Sequence, residues 1–454
     1  MNVIGRTACV KLLALFPLSC QAHVAEQGFV LLLPTGAWST AGVAVVVVTI
    51  ALLAALPQSK TAAFFGARTH RLRWKPFAST AISLCATLLL GALVWIGFYG
   101  PRDPLSNLMP LSIWTLMWIA LVTLAAVFGN LFALINPWTG LARLMSTNPF
   151  WHLPNWLCGW PALAGLIGFA AFLLADPAPD DPARLARLVT LYWSVHLVGT
   201  VVFGPRWLQQ AEFLTVVFRL FASLSPLSRA GFGWPGWRLL RLPYSVWLGL
   251  FSLSLLGIGS FDGLNETFLW LGWIGVNPLE FPGRSAVILP TIGGLAACLI
   301  ALLAVFAAAV QCGLWLSGAK CTFRHAFAAL ALSVLPIAWA YHLAHYLTAW
   351  LVGSQYTLAA MSDPFATGAD YLGITPFYVT TGFFNHLGSV RTIWLTQAGA
   401  VVLGHVWSVL LAHHIATKLA PQPRQAVRLT APLSVFMIAY TFIGLWLLAA
   451  PRGA

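Results

Sequence analysis

The chain has 454 residues, of which 59% are hydrophobic and 8% charged, with a mean hydropathy of +0.84. A soluble globular chain carries roughly 25% charged residues, so a water-bounded core is excluded and a bilayer is expected around it. The net charge of +13 does not indicate nucleic acid, because the basic residues fall in short loops between apolar runs, the positive-inside pattern.

Residues 1–22 read as a signal peptide. Arg6 and Lys11 supply the positive start, "LLALFPLSC" is too short to span, and "CQA" ends on the small residue Ala22. Cleavage there makes His23 the first mature residue. Its α-amine and imidazole together form a strong chelate for copper; the alternative is that His23 is an exposed polar residue behind a good cleavage site.

A helical span needs roughly 20 apolar residues. About ten follow the leader, centred on 35–56, 79–99, 109–135, 156–175, 187–203, 243–260, 286–316, 326–352, 388–416 and 431–450. The expected fold is therefore an all-α polytopic membrane protein with one multi-span domain over 23–454. Loop charge sets an expected orientation. Lys60, Arg68, Arg71, Arg73 and Lys75, then Arg206 to Arg241, Lys320 with Arg324, and Lys418 with Arg424 and Arg428 mark one side as cytoplasmic. Asp176, Asp180, Asp181, Asp262, Glu266, Glu280, Asp363 and Asp370 mark the other, with both termini outside. Residues 204–241 carry Glu212 and Arg219 on an amphipathic stretch. They are expected to lie along the cytoplasmic interface or to dip in and return. No internal repeat is evident.

The seven cysteines include no C-x-x-C pair, which indicates neither a disulfide framework nor a thiolate metal site. There is no P-loop, G-x-S-x-G or H-E-x-x-H. What remains is a set of polar residues inside spans, each a functional hypothesis by default. In "AYHLAHY" (340–346), His342 and His345 are three apart and share a helix face. At a rise of 1.5 Å per residue they lie roughly 14 and 9 Å below the outer edge. His196 lies roughly 14 Å down its own span, level with His342. His386 and the acidic loops lie above. These groups describe an outward-facing pocket in which His342, His345 and His196 bind a divalent ion, with Asp262, Asp363 or His386 completing the set. For His196 alone, hydrogen bonding between helices is the stronger expectation. His405 fits less well, roughly 25 Å deep, while His413 and His414 read as residues of the cytoplasmic interface. Asn136, before Pro137, reads as a structural stop.

Several segments together resemble the membrane-bound fenitrothion hydrolases of bacteria. They are "AHVAEQGFVLLLP" (22–34), "FGNLFALINPW" (128–138), "SFDGLNETFLW" (260–270), "VLPIAWAYHLAHY" (334–346), "MSDPFATGADYLG" (361–373), "VVLGHVW" (401–407) and "IGLWLLA" (443–449), in the family's order and across the whole chain. The resemblance implies cleavage of the aryl ester P–O bond of an organophosphorothioate and a second, homologous subunit as partner. It marks His23, Asp262, His345, Asp363 and His405; His342 rests on the residue argument alone.

The leading expectation is thus a hydrolase of the bacterial inner membrane with its site facing the periplasm. A divalent metal, zinc or copper, would supply hydroxide, and Asp262 or Asp363 would serve as ligand or general base. A small hydrophobic substrate would reach the site from the bilayer. The rival is a copper-handling permease or binding protein, which changes copper distribution and releases no product. A third reading is a structural partner whose histidines only tie helices together.

Overall fold

The computed structural model describes residues 29–55, 65, 67–68, 76–145, 149–228, 231–277, 280, 283–420 and 422–452. The leader and His23 lie outside the described residues.

Each apolar run in the sequence becomes a helix because a chain in lipid must satisfy its backbone groups within the segment. In chain order these are α1 (Thr35–Ala55), α2 (Pro76–Tyr99), α3 (Leu108–Phe128), α4 (Trp160–Ala175), α5 (Pro182–Phe203), α6 (Phe213–Ala222), α7 (Val246–Asn265), α8 (Ile288–Ser317), α9 (Phe323–Ser362), α10 (Leu387–Leu419) and α11 (Pro423–Ala449). The chain is an all-α polytopic membrane protein. Among the described residues nine helices are long and apolar enough to cross a bilayer. The tenth expected span, α4, has 16 residues, roughly 24 Å of helix, short of a full crossing by its own length.

The bundle has two central helices. Of the most apolar stretch of α9, 89% of residues are buried, and of α7, 78%; α2, α1 and α5 bury only about a fifth. α7 and α9 pack on each other, and α9 also packs on α10 and on the middle of α3. α8 and α11 form a second pair, and α1 closes against α10 and α11. The perimeter is apolar: Leu88, Leu289, Leu403 and Val435 point outward and exposed, which is costly in water and natural in lipid. α9 is interrupted by a 3-10 turn at Leu332–Val334 before its main helix. Pro336 follows, lacks an N–H, and starts that helix where none is required. Residues 111–121 of α3 are π-helical.

Within 204–241, α6 does not lie on a surface. Eight of the ten residues of α6 are buried, and α6 packs against α3, α4 and α9. α6 is therefore packed inside the bundle. Glu212 caps α6 by accepting from the N–H groups of Leu214 and Thr215, and Tyr192 donates to it as well. Beyond α6, strands β1 (Ala67–Arg68), β2 (Leu227–Ser228) and β3 (Gly231–Gly233) form a small antiparallel sheet in the order β1-β3-β2.

Contacts between loops fix which loops share a face. The sheet joins the basic loop after α1 to the segment after α5. Arg284, at the start of α8, donates to carbonyls of Leu173 and Asp176, so that end of α4 lies with the loop before α8. Thr267 bridges to Arg452, and Val30 and Leu33 pack in one cluster with Leu447 and Leu448. Both ends of the described chain therefore meet at the face that carries Glu266.

Candidate functional site

Asp262 lies near the end of α7, buried among apolar neighbours. A lone carboxylate in such a place carries a large desolvation cost, so its partners define the site. α9 supplies them because Gly263 lets it approach: a Cβ at Gly263 would collide with the Tyr341 hydroxyl. On the other flank, a Cβ at Gly404 of α10 would collide with that of Ala340. Small residues at such crossings let helix backbones close up in a membrane.

The close approach brings His345 Nε2 to 3.1 Å from Asp262 Oδ2, with both side chains about nine-tenths buried. Tyr346 donates its hydroxyl to the same Oδ2 at 2.5 Å. The Tyr341 ring lies nearly parallel to the His345 ring, their centroids 5.9 Å apart. Two polar atoms of this cluster are buried without a partner among the described residues, His345 Nδ1 and the Tyr341 hydroxyl. A carboxylate on Nε2 fixes the proton there and leaves Nδ1 with its lone pair. α9 changes character at this level. Residues 335–344 are buried except Trp339 and Leu343, whereas 349–356, toward the Asp363 end, are partly exposed on every side. The cluster lies at this step in burial.

His342 points elsewhere. Its Nε2 lies 3.0 Å from the Trp118 carbonyl oxygen in the π-helical part of α3, so the ring donates from that nitrogen. Its ring also meets Trp118 and Tyr346 edge-on. His405 donates from Nδ1 to the Val401 carbonyl on its own helix, at 2.8 Å, and its Nε2 is buried without a partner among the described residues. Between His405 and Asp262 lies a hydroxyl pair, Ser260 Oγ and Tyr440 OH, 2.5 Å apart. Tyr440 reaches the His405 ring at 6.4 Å.

The structure thus unites Asp262 with His345 and does not assemble the wider set expected from the sequence. His196 accepts from Trp207 Nε1 at 3.0 Å and meets Trp138 and Tyr192 edge-on. Depth counting placed it level with His342, but α5 packs on α2, so the ring belongs to an aromatic cage. His386 is exposed at the start of α10. Asp363 closes its own loop, accepting from the N–H groups of Thr367 and Gly368 at 3.0 and 2.6 Å. The Thr367 amide foremost holds its carboxyl below the usual carboxylate range. Asp370 is lowered in the same way, first by the Ser362 hydroxyl and then by the Ile374 amide.

Among the described residues, no three His, Cys, Asp or Glu side chains converge on a point where they could hold a metal ion. The donor set for zinc or copper is incomplete among the described residues because the groups do not converge: His342 turns to Trp118, His405 to Val401 and His196 to Trp207, which leaves one carboxylate and one imidazole together. His23 lies outside the described residues. Sequence reasoning missed Tyr346, Tyr341 and Trp118. A signal for Tyr346 was present in "AYHLAHY", since a buried Tyr hydroxyl usually finds a partner, and here that partner is Asp262. No family model matches the chain, and neither a curated protein nor a solved structure matches it.

Proposed function

We propose that the protein is a membrane-embedded hydrolase of small apolar aryl phosphotriesters or phosphorothioates, with His345 as general base and Asp262 as its orienting partner. The observation that carries this reading is an imidazole Nδ1 without a partner among the described residues, on a ring whose other nitrogen is held by a buried carboxylate. That is the geometry of a base ready to take a proton. Water held at Nδ1 attacks phosphorus. As its oxygen bonds to phosphorus, the proton passes to Nδ1, and the P–O bond to the aryl group breaks. The aryloxide takes the proton from imidazolium and leaves as a phenol, so triester and water give diester acid and phenol.

Tyr346 holds Asp262 in place through its hydroxyl. The Tyr341 hydroxyl, without a partner among the described residues, would donate to the oxygen or sulfur that gains charge at phosphorus. An aryl ester partitions into the bilayer by apolar transfer, which suits a site opening between helices. The resemblance to the fenitrothion hydrolases supports the same substrate class. We place the opening on the periplasmic side of the bacterial inner membrane, because the acidic loops gather at its end of the bundle and the basic loops at the other. A copper-handling role draws less support, since among the described residues one carboxylate and one imidazole come together.

The test is release of a nitrophenol from an aryl phosphotriester by the purified protein, with and without exhaustive chelation. Turnover is expected in both conditions. His345→Gln should reduce it about 10²- to 10⁴-fold, the usual worth of a general base. Absence of turnover in the unaltered protein, or full turnover in His345→Gln, overturns the assignment; loss on chelation shows that a metal completes the site.

A further inference from the structure

At the end of the bundle away from Asp262, a cavity of about 260 Å³ lies between α1, α10 and α11. Its walls are aliphatic, with Leu53 from α1, Val409 from α10 and Val427 and Ile438 from α11 among them. It opens sideways, since Val435 and Ala431 line it and are exposed, and in a polytopic protein that side faces acyl chains. Three polar residues interrupt the wall, Thr430, Ser434 and His413, and the Thr430 hydroxyl is spent on the Ala426 carbonyl. His413 is 6% exposed, and its Nε2 is buried without a partner among the described residues. An unpaired ring nitrogen in an apolar wall is costly, and a ligand with a hydrogen-bonding group would satisfy it.

Basic residues follow the groove toward the start of α11. Arg424, Val427, Ala431, Ser434 and Ile438 follow one another at steps of three and four along α11 and so form one stripe. Four of these line the cavity, and Arg424 continues the stripe toward the helix start. Arg424, Arg428 and Lys418 are exposed and make no ion pair among the described residues. From Val427 to Ile438 the groove runs roughly 16 Å along the axis, close to half of the roughly 30 Å hydrocarbon thickness.

We propose that this groove is a binding site for an anionic phospholipid. One acyl chain fills the groove, an ester carbonyl accepts from His413 Nε2, and the phosphate rests against Arg424, with Arg428 and Lys418 favouring a headgroup of net negative charge. Arg424 lies three to six residues, roughly 5–9 Å, nearer the helix end than the rung from Val427 to Thr430. A phosphate outside and an ester carbonyl inside need a separation of that order. The bound lipid would join α1 to α10 and α11, which already touch one another.

The experiment uses the full chain purified in a mild detergent, with phosphatidylglycerol, phosphatidylcholine and palmitate compared as ligands by native mass spectrometry. One phosphatidylglycerol per chain should be retained in preference to the other two. Arg424→Gln, a change at an exposed position, should weaken retention about fivefold, and Arg424→Lys should keep it. His413→Leu, which leaves the groove apolar, should weaken it as well. Equal retention of phosphatidylcholine, preferred retention of palmitate, or unchanged binding in Arg424→Gln would each overturn the proposal.

Discussion

At the residue scale, two histidines three positions apart do different things. Both sit on α9 and both are mostly buried, yet His342 spends Nε2 on the Trp118 carbonyl while His345 faces Asp262. Their shared helix face was legible in the sequence. Their division of labour was not, because it depends on a carbonyl from the π-helical part of α3 and on a carboxylate from α7. Intramembrane hydrogen bonds average about 0.6 kcal/mol, so His342→Ala should lower thermal stability by about that much while the protein keeps most of its phosphotriester turnover. Abolished turnover in a folded His342→Ala protein would show that His342 takes part in the chemistry.

At the element scale, the helices were legible because apolar runs of spanning length leave the backbone little choice in lipid. The loops and crossings were less so. Depth counting along α5 and α9 puts His196 level with His342 but says nothing of lateral position, and α5 packs on α2. The segment 204–241 read as amphipathic, but most of α6 is buried, so its apolar face meets protein and not lipid. The collision that a Cβ at Gly263 would cause is likewise invisible without the partner helix. The loop from Asp363 to His386 has its own chemistry. Asp363 and Asp370 accept several hydrogen bonds and are held below the ordinary carboxylate range. A lowered value in the folded loop means stability present above the ordinary value, about 3.9, and lost as pH falls through the lowered ones. Amide exchange at Thr367, Gly368, Ile374 and Thr375, corrected for the intrinsic rate, should therefore lose protection on acidification below that value, before the helices do. Protection that persists until the helices themselves open would contradict this.

At the scale of the whole molecule, the expected all-α polytopic fold stands, and loop contacts pair the faces as loop charge had suggested. The basic loop after α1 joins the segment after α5 through the small sheet, and the N-terminal turn meets the end of α11. Charge then predicts which face is cytoplasmic. A reporter active only in the cytoplasm should give signal when fused after Lys320 and none after Asp181; the reverse result would put the Asp262 opening on the wrong side. What the sequence could not convey was convergence. It contains enough histidines and carboxylates for a metal site, but among the described residues the bundle brings only His345 to Asp262, with two tyrosines around them.

The central claim is that Asp262 and His345 act as one unit, and a double-mutant cycle on phosphotriester turnover tests it most directly. Asp262→Asn, His345→Gln and the double variant would be measured at equal amounts of folded protein, judged by size exclusion. Groups that act together are strongly non-additive. The account predicts that the double variant is no slower than the slower of the two single variants. Losses that multiply across the cycle would show two independent roles and would contradict it.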